Sequence, residues 1–265
     1  LGIFRKYAGM ITAIVLVVIF HNLHSFYYGQ IAVEFILVVL LIFLIYKKFG
    51  PFIAQIPSKK ILTESFKYGF PLAISGISFR IFNMGDRYVI AHFLNVEQVA
   101  SYSVAYMICN YLKEFIVTPI NLSLIPLTFK LWEQKKLDEL KNTLQAATKY
   151  YYMIAIPVIF LFMLISKEMI TLLASEKYID ASPLMPIIMA GVMLGFIFPF
   201  SAGFHLNKNT TMILTLTSIM AIFNIVLNIF FVPRMGIEGA AYATLISFFL
   251  YIILSYQLSK KHFRI

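Results

Sequence analysis

Three basic residues stand inside long apolar stretches of the sequence: Arg80, Arg87 and Lys113. Arg80 lies 13 residues after Lys67 and 12 residues before His92, so it is near the middle of its stretch. A charge at the centre of a bilayer costs about 2.5–3.5 kcal/mol on insertion scales, so it survives where it faces a polar cavity or a partner. Because a guanidinium is a planar fork of donors that binds phosphate, these cations predict an anion-binding site.

The first of these stretches carries a polar stripe. On a helix that turns 100° per residue, Arg80, Asn83 and Arg87 fall within about 60° of one another. Asp86 adjoins the stripe and supplies a carboxylate beside two cations. This segment is therefore expected to present one polar face on an otherwise apolar helix.

The next apolar stretch carries a second polar group. Asn110 and Glu114 share a face at i and i+4, with Lys113 beside them. Only the short segment 95–98 separates the two stretches, so we expect antiparallel neighbouring helices. Together their stripes predict one cavity with three cations and two carboxylates, suited to an anion.

Structural explanations stay open for most of these charges. Arg87 stands near the end of its helix, where it can snorkel to the interface. Asp86 can simply neutralise a cation, and Lys113 and Glu114 can pair with other helices. Arg80 is central, so a functional role is favoured for it. Asp86 and Glu114 are also candidates for carrying a coupling proton.

Other chemistry finds little support in the sequence. His21 and His24 are three residues apart, but a metal site needs three or four ligands and no others stand near them. No phosphate-binding glycine loop, paired-carboxylate motif or nucleophile elbow is present. We therefore predict no metal site, no cofactor, no catalytic residue and no enzymatic activity.

The composition indicates which elements must position these residues. Hydrophobic residues make up 60% of the chain and charged residues 13%, where a soluble domain carries about a quarter charged. The mean hydropathy is +0.84. The net charge of +10 lies in short clusters between apolar runs, which is typical of membrane topology and not of nucleic-acid binding. The chain is therefore predicted to be an integral membrane protein.

The apolar runs predict an all-α bundle of about eight transmembrane helices, since each needs about 20 apolar residues. The predicted spans are 7–27, 30–46, 66–92, 96–119 with a continuation to 131, 147–165, 184–205, 211–231 and 237–258. The segment 131–145 is expected to be a solvated amphipathic connector, and 167–178 to lie flat at the interface.

Basic residues orient the predicted helices. With the N-terminus inside, 16 of the 22 Lys and Arg residues fall in inner segments, three fall in outer segments and three lie within helices. This bias follows the positive-inside rule and predicts cytoplasmic termini. The chain opens at Leu1 and not at Met, so we expect a piece of a longer protein. Its first residues lack the features of a signal peptide, so none is predicted.

Several motifs follow one another in an order that is similar to a known family. They are Lys67–Leu72 (KYGFPL), Ser75–Gly76, Asp86–Ile90 (DRYVI), Val99–Tyr106 (VASYSVAY) and Pro233–Thr244 (PRMGIEGAAYAT). This pattern resembles the second half of polysaccharide flippases of the O-antigen type, within the multidrug/oligosaccharidyl-lipid/polysaccharide exporter superfamily. The resemblance extends from about Phe66 to the end of the chain.

The resemblance implies a fold of two six-helix bundles around a central cavity. Residues 1–60 would then be the last two helices of the N-terminal bundle, and residues 61–265 would be the whole C-terminal bundle. Four helices of the first bundle would be missing from this chain.

The resemblance also implies a substrate and a mechanism. The substrate would be an oligosaccharide on undecaprenyl pyrophosphate, flipped across the bacterial cytoplasmic membrane for O-antigen, lipopolysaccharide or capsule synthesis. Cavity cations would hold the pyrophosphate during alternating access. The implied partners are the lipid-linked oligosaccharide, membrane lipids and polysaccharide assembly proteins, with no nucleic acid.

Three other functions stay open at this point. A drug or cation antiporter of the same superfamily would need unpaired acids. In the interior of the third and fourth predicted helices, however, the cations outnumber the acids three to two. A membrane enzyme such as a glycan polymerase would need a catalytic loop or a cluster of His and Asp at one face. The third of these functions is a scaffold that transports nothing.

Overall fold

The structure, a computed structural model, describes residues 2–22, 24–50, 58–196 and 198–262. These residues form α-helices and one short 3₁₀ segment, Glu176–Ala181, and contain no strand. The helices are α1 (Gly2–Phe20), α2 (His24–Phe49), α3 (Lys59–Phe93), α4 (Val96–Glu133), α5 (Leu137–Leu173), α6 (Leu184–Leu194), α7 (Phe198–Leu206), α8 (Thr210–Met235) and α9 (Ile237–His262). The predicted all-α class is confirmed.

The chain divides into two compact units, Leu1–Ser58 and Lys59–Ile265. In the first unit α1 packs against α2. They approach each other closely at Gly29, where an added Cβ would lie 2.6 Å from the Cα of Ala13. A glycine at this position therefore lets the two helix backbones cross closely.

Among the described residues, six segments are long and apolar enough to cross a membrane. They are His24–Lys48, Val96–Glu133, Leu137–Leu173, Leu184–Leu206, Thr210–Met235 and Ile237–Ser259. Two of the eight predicted spans do not reach this standard. The apolar part of α1, Ala8–Phe20, is shorter, and α3 is 35 residues long but has a low mean hydropathy.

The boundary between the first two helices lies earlier in the sequence than the predicted spans 7–27 and 30–46 place it. α1 ends at Phe20, and α2 begins at His24 and not at residue 30. The side chain of Asn22 accepts a hydrogen bond of 3.0 Å from the backbone N–H of His24. An asparagine that satisfies an otherwise unpaired amide is a common start of a helix, and the apolar pattern alone does not show it.

The predicted connector 131–145 is mostly helical. α5 begins at Leu137, ten residues before the predicted start of its span. Leu140 and Leu144 are buried, while Asp138 and Glu139 in the first turn of α5 are exposed. The alternating charges therefore mark the polar side of an amphipathic first part of α5.

α3 and α4 form an antiparallel hairpin, as the short connection predicts. The side chain of Asn95 caps α4 by accepting a hydrogen bond of 2.8 Å from the backbone N–H of Gln98. Further along the hairpin, the Tyr102 hydroxyl of α4 donates to Asp86 of α3. The hairpin therefore brings the two polar stripes onto adjacent helices.

In the second unit α3 packs along α8, α8 along α9, and α9 against α6. One apolar cluster contains the stacked rings of Tyr151 and Phe196, whose centroids are 4.3 Å apart. Another contains Phe82 and Phe248, in an edge contact of 4.7 Å. These two clusters hold α3 and α4 in fixed positions within the unit.

Large apolar side chains also cover the outside of the second unit. Phe115 is 83% exposed, Leu172 is 80% exposed and Leu164 is 78% exposed. Soluble proteins rarely expose extended apolar surfaces, whereas a bilayer solvates them. The chain is therefore a multi-pass membrane protein.

Candidate functional site

Asp86 is the most deeply placed charge of the polar stripe on α3. Its side chain is 1% exposed. Oδ1 accepts two hydrogen bonds of 2.8 Å, from Nη1 and from the backbone N–H of Arg87. Oδ2 accepts a hydrogen bond of 2.6 Å from the Tyr102 hydroxyl. Three donors and one positive charge therefore offset the burial of this carboxylate.

Arg87 is held on three sides. Besides its ion pair with Asp86, Nη1 donates a hydrogen bond of 2.8 Å to the backbone carbonyl of Asn83. The guanidinium carbon lies 4.7 Å from the ring centroid of Tyr106 and 5.6 Å from that of Tyr102. This arrangement differs from free snorkelling, because the aromatic faces and the carboxylate fix the head group.

Asn83 links the same cluster to α4. Its Oδ1 accepts a hydrogen bond of 3.1 Å from the Tyr106 hydroxyl, and its Nδ2 donates one of 2.7 Å to the carbonyl of Phe79. Asn83, Asp86 and Arg87 are thus joined through two tyrosines of the neighbouring helix. We refer to Asn83, Asp86, Arg87, Tyr102 and Tyr106 as the Asp86 cluster.

Arg80 stands apart from this cluster. It is exposed and lines a groove of about 390 Å³ together with residues of α3 and with Ile225 of α8. Within the described part of the chain, no hydrogen bond or ion pair to Arg80 is found. Its guanidinium is therefore available to an anion that enters the groove.

Lys113 and Glu114 form a local pair on α4. Their Nζ and Oε1 atoms are 2.6 Å apart, and the side chains are 16% and 50% exposed. Glu114 also accepts a hydrogen bond of 2.8 Å from the hydroxyl of Thr118. Asn110 lies half-buried one turn earlier. These residues therefore form a second polar group on α4, outside the hydrogen bonds that hold Arg87.

Polar groups continue from the Asp86 cluster into the interior of the unit. Thr244 of α9 lies near the Tyr102 phenol, and Asn224 and Asn228 of α8 are 0% exposed. Nδ2 of Asn228 donates to the backbone carbonyl and to Oδ1 of Asn224, at 2.9 and 3.2 Å. Among the described residues, Oδ1 of Asn228 and the hydroxyl of Thr244 have no hydrogen-bond partner. The interior between α3, α8 and α9 is therefore polar at several points.

The sequence identified the charged members of the Asp86 cluster but not its tyrosines. Tyr102 and Tyr106 are one helical turn apart on α4, and both are buried. Their spacing shows that they share a face, but tyrosine is also an ordinary residue of an apolar core. Only the pairing of α3 with α4 shows that both hydroxyls reach polar side chains.

The cluster combines a buried carboxylate with a partly accessible guanidinium. The side chain of Arg87 is 20% exposed, and Nη1 makes both of its hydrogen bonds. A guanidinium has five N–H donors, so the remaining ones can meet an oxyanion from the accessible side. Arg80 and Arg87 therefore supply two guanidinium groups on one helix for an anionic ligand.

The comparisons with known proteins agree with a membrane transport fold. The sequence profile of the family described as "Polysaccharide biosynthesis protein" matches residues 2–183. An uncharacterized membrane protein of Methanocaldococcus jannaschii is 28% identical over 239 residues, which are 86% of this chain and 46% of that protein. The chain therefore spans about half the length of this curated relative.

Solved structures of similar fold are membrane transporters. A MATE protein in complex with MaL6 superposes with a TM-score of 0.77 at 17% identity, covering 98% of this chain and 62% of that one. An outward-facing multidrug resistance MATE transporter gives 0.72 at 18% identity, with the same coverages. A transporter of the MOP superfamily from Pyrococcus furiosus, described as having a binding pocket of reverse polarity, gives 0.70 at 18% identity and again 98% and 62%.

These likenesses bear on two predictions. The family match confirms the predicted relation to polysaccharide biosynthesis proteins, and the chain shares the fold of solved exporter-superfamily proteins. The solved proteins of this fold are described as transporters.

Proposed function

The chain belongs to the polysaccharide biosynthesis protein family, and on that premise we propose that it flips an undecaprenyl-pyrophosphate-linked oligosaccharide. The transfer crosses the bacterial cytoplasmic membrane and supplies O-antigen, lipopolysaccharide or capsule synthesis. One observation carries this proposal: the exposed guanidinium of Arg80 in a groove between α3 and α8. An uncompensated cation at that depth suits a ligand that brings its own negative charge.

The three cations have different parts in this proposal. Arg80 meets the pyrophosphate directly, because its guanidinium has no protein partner among the described residues. Arg87 offers the donors that Asp86 and Asn83 leave unused. Lys113 adds a positive charge on α4, which the neighbouring carboxylate of Glu114 partly neutralises. The sugar crosses in a wet lumen while the lipid tail stays in the bilayer.

The transport step follows from the two-bundle fold. In this proposal residues 1–60 are the last two helices of the N-terminal bundle and residues 61–265 are the C-terminal bundle. The two bundles rock about a central cavity and expose it to each face in turn. The partners are then the lipid-linked oligosaccharide, the surrounding lipids and the polysaccharide assembly proteins that deliver and use the sugar.

A flipping assay tests the proposal. The full-length protein is placed in liposomes with a labelled undecaprenyl-pyrophosphate oligosaccharide, and the label reaching the opposite face is measured. We expect transfer by the wild-type protein and a loss of about 100-fold in Arg80→Gln, since a charge-assisted bond to phosphate contributes about 1.5–3 kcal/mol. Wild-type rates in Arg80→Gln would contradict the role of the groove.

Arg234→Gln is the matched control. Arg234 lies at the end of α8, where its guanidinium stacks 4.0 Å from the ring centroid of Phe230 and donates to that residue's carbonyl. This variant removes the same charge from the end of another membrane helix. It should insert and flip like the wild-type protein.

A second candidate is a drug or cation antiporter of the same superfamily. The solved multidrug transporters of this fold and the buried carboxylate of Asp86 favour it. In the same liposomes, uptake of a cationic dye without transfer of the lipid pyrophosphate would promote this candidate. We rank it second because Asp86 is paired with Arg87 and so is not free for a cationic drug.

A further inference from the structure

The Asp86–Arg87 pair places one guanidinium between two possible anionic partners. On its buried side Arg87 binds the carboxylate of Asp86 at 2.8 Å. On its accessible side it is one of the cations that the proposed function assigns to the pyrophosphate of the substrate. A guanidinium is planar, so turning it to bind a phosphate through two donors breaks its contact with the carboxylate.

Among the residues that the structure describes, the surroundings of Asp86 supply no second cation. α4 contributes the Tyr102 and Tyr106 phenols, of which Tyr102 donates to Oδ2. α8 carries one charged residue, Arg234, in its last turn, and the acidic residue of α9 is Glu238, in its first turn. In the described structure Arg87 is therefore the only cation paired with this carboxylate.

Losing Arg87 would leave Asp86 charged and almost fully enclosed. Removal of one member of a buried ion pair is strongly unfavourable, because the charge that remains has neither solvent nor a counter-ion. A proton on Oδ1 removes that charge and supplies a donor, while Tyr102 continues to donate to Oδ2. Protonation is thus the simplest change that lets Arg87 leave.

We propose that Arg87 exchanges partners: a proton from the solvent binds Asp86, and Arg87 then binds the anionic head of the substrate. This inference rests on the proposed function, since it assumes that a pyrophosphate approaches Arg87. The exchange couples the binding of pyrophosphate to Arg87 with the binding of one proton to Asp86. By reciprocity of linked binding, a lower pH strengthens pyrophosphate binding and pyrophosphate strengthens proton binding.

Calorimetry on the full-length protein in lipid nanodiscs tests the exchange. Inorganic pyrophosphate is titrated at one pH in two buffers that differ in ionisation enthalpy, which gives the number of protons taken up per bound pyrophosphate. We expect the wild-type protein to take up close to one proton more than Asp86→Asn. Both proteins meet the same probe, so the titration of pyrophosphate itself cancels in this difference.

Affinity gives a second readout that a merely structural role of Asp86 would not produce. In Asp86→Asn the guanidinium has no carboxylate to leave, so pyrophosphate should bind at least as tightly as to the wild-type protein. The advantage of the variant should grow with pH, by at most about tenfold per pH unit for one linked proton. Asp138→Asn removes an exposed carboxylate in the first turn of α5 and should behave like the wild-type protein.

The outcomes separate the exchange from the flippase proposal. An equal proton number in wild type and Asp86→Asn, or a dependence on sodium at fixed pH without one on pH, would overturn the exchange and leave the flippase proposal standing. No pyrophosphate binding by any of these proteins would overturn both. If Asp86→Asn does not fold, Asp86→Ser replaces it: this variant keeps Arg87 and also has no carboxylate to protonate, so the extra proton should again be lost.

Discussion

At the scale of single residues, neighbouring charges in the Asp86 cluster have different surroundings. The carboxylate of Asp86 is enclosed and satisfied by three donors, whereas the guanidinium of Arg87 keeps part of its surface accessible. Two aromatic rings of α4 lie against the guanidinium of Arg87. The stability of the cluster should therefore depend on the α4 tyrosines as much as on the charges themselves.

Tyr102→Phe tests this dependence. The variant keeps the ring but removes the donor to Oδ2 of Asp86, which leaves a buried carboxylate oxygen without its partner. We expect a loss of about 1–3 kcal/mol in the free energy of unfolding, because an unsatisfied buried acceptor keeps its desolvation penalty. Thermal unfolding of the full-length protein in detergent measures it as a lower Tm.

Tyr106→Phe is the companion variant. It removes a hydrogen bond of 3.1 Å to the partly buried Asn83 and leaves the ring beside Arg87 in place. A loss of about 0.5–1.5 kcal/mol is expected, the ordinary net contribution of one such bond. Equal effects in both variants would show that Asp86 does not depend on its α4 donor.

At the scale of elements, the turn between α8 and α9 sets the position of the last helix. Gly236 has φ of +62°, a backbone conformation that glycine adopts without a steric penalty. α9 then begins directly beside the end of α8. An added Cβ at Gly239 would lie 2.7 Å from the backbone carbonyl atoms of Phe231. Because α9 contacts both α8 and α6, a change at this turn affects the whole second unit.

Gly239→Ala should therefore destabilise the protein. The added methyl group meets backbone atoms, which cannot move aside like the end of a flexible side chain. We expect a loss of about 1–3 kcal/mol, in the range for overpacking, measured as a lower Tm.

Gly76→Ala on α3 is the control for this prediction. No atom of the described residues lies within 4 Å of a Cβ added there, so the substitution meets open space in this part of the structure. Alanine is a better helix former than glycine, and stability should stay equal or rise by about 0.5–1 kcal/mol. A comparable loss in Gly76→Ala would show that the effect comes from the helix backbone and not from the α8–α9 contact.

At the scale of the whole molecule, the second unit has two ends that we assign to opposite faces of the membrane. Lys177, in the 3₁₀ segment, lies 3.9 Å from Glu97 at the start of α4. α4 is 38 residues long, and its other end leads into the connection before α5. The positive-inside bias of the sequence predicts that the start of α4 is outside and that its end is cytoplasmic.

Cysteine labelling in intact cells tests this orientation. In a Cys109→Ser background, Glu176→Cys and Gln134→Cys each place a thiol at an exposed position near one of these ends. A membrane-impermeant maleimide should label Glu176→Cys from outside. It should label Gln134→Cys only after permeabilisation, and the reverse pattern would invert the predicted topology.

Much of this architecture follows from local properties of the chain. Long apolar runs exclude a soluble fold, and the short segment at Asn95 forces α3 and α4 into a hairpin. The positions of Asn83, Arg87 and their neighbours on one face follow from the 100° turn of a helix. Such features depend only on residues close in sequence, so the sequence is sufficient to predict them.

Other features depend on residues that are far apart in sequence. The hydrogen bonds from Tyr102 to Asp86 and from Tyr106 to Asn83 join positions 16 and 23 residues apart. Whether a side chain on a helix meets a partner, a groove or lipid depends on how that helix is rotated and what packs against it. Arg80 and Arg87 share a helix face in the sequence, yet packing with α4 encloses one and leaves the other exposed.

The sequence by itself thus determined the membrane class, most of the helices and the set of charged residues within them, because hydropathy and helical periodicity are local. Only the tertiary structure decided that Asp86 is buried and paired with a partly accessible Arg87 beside the α4 tyrosines, while Arg80 stays open to a ligand. The physical reason is that burial and hydrogen bonding are properties of pairs of elements, and their relative placement is set by packing across the whole unit.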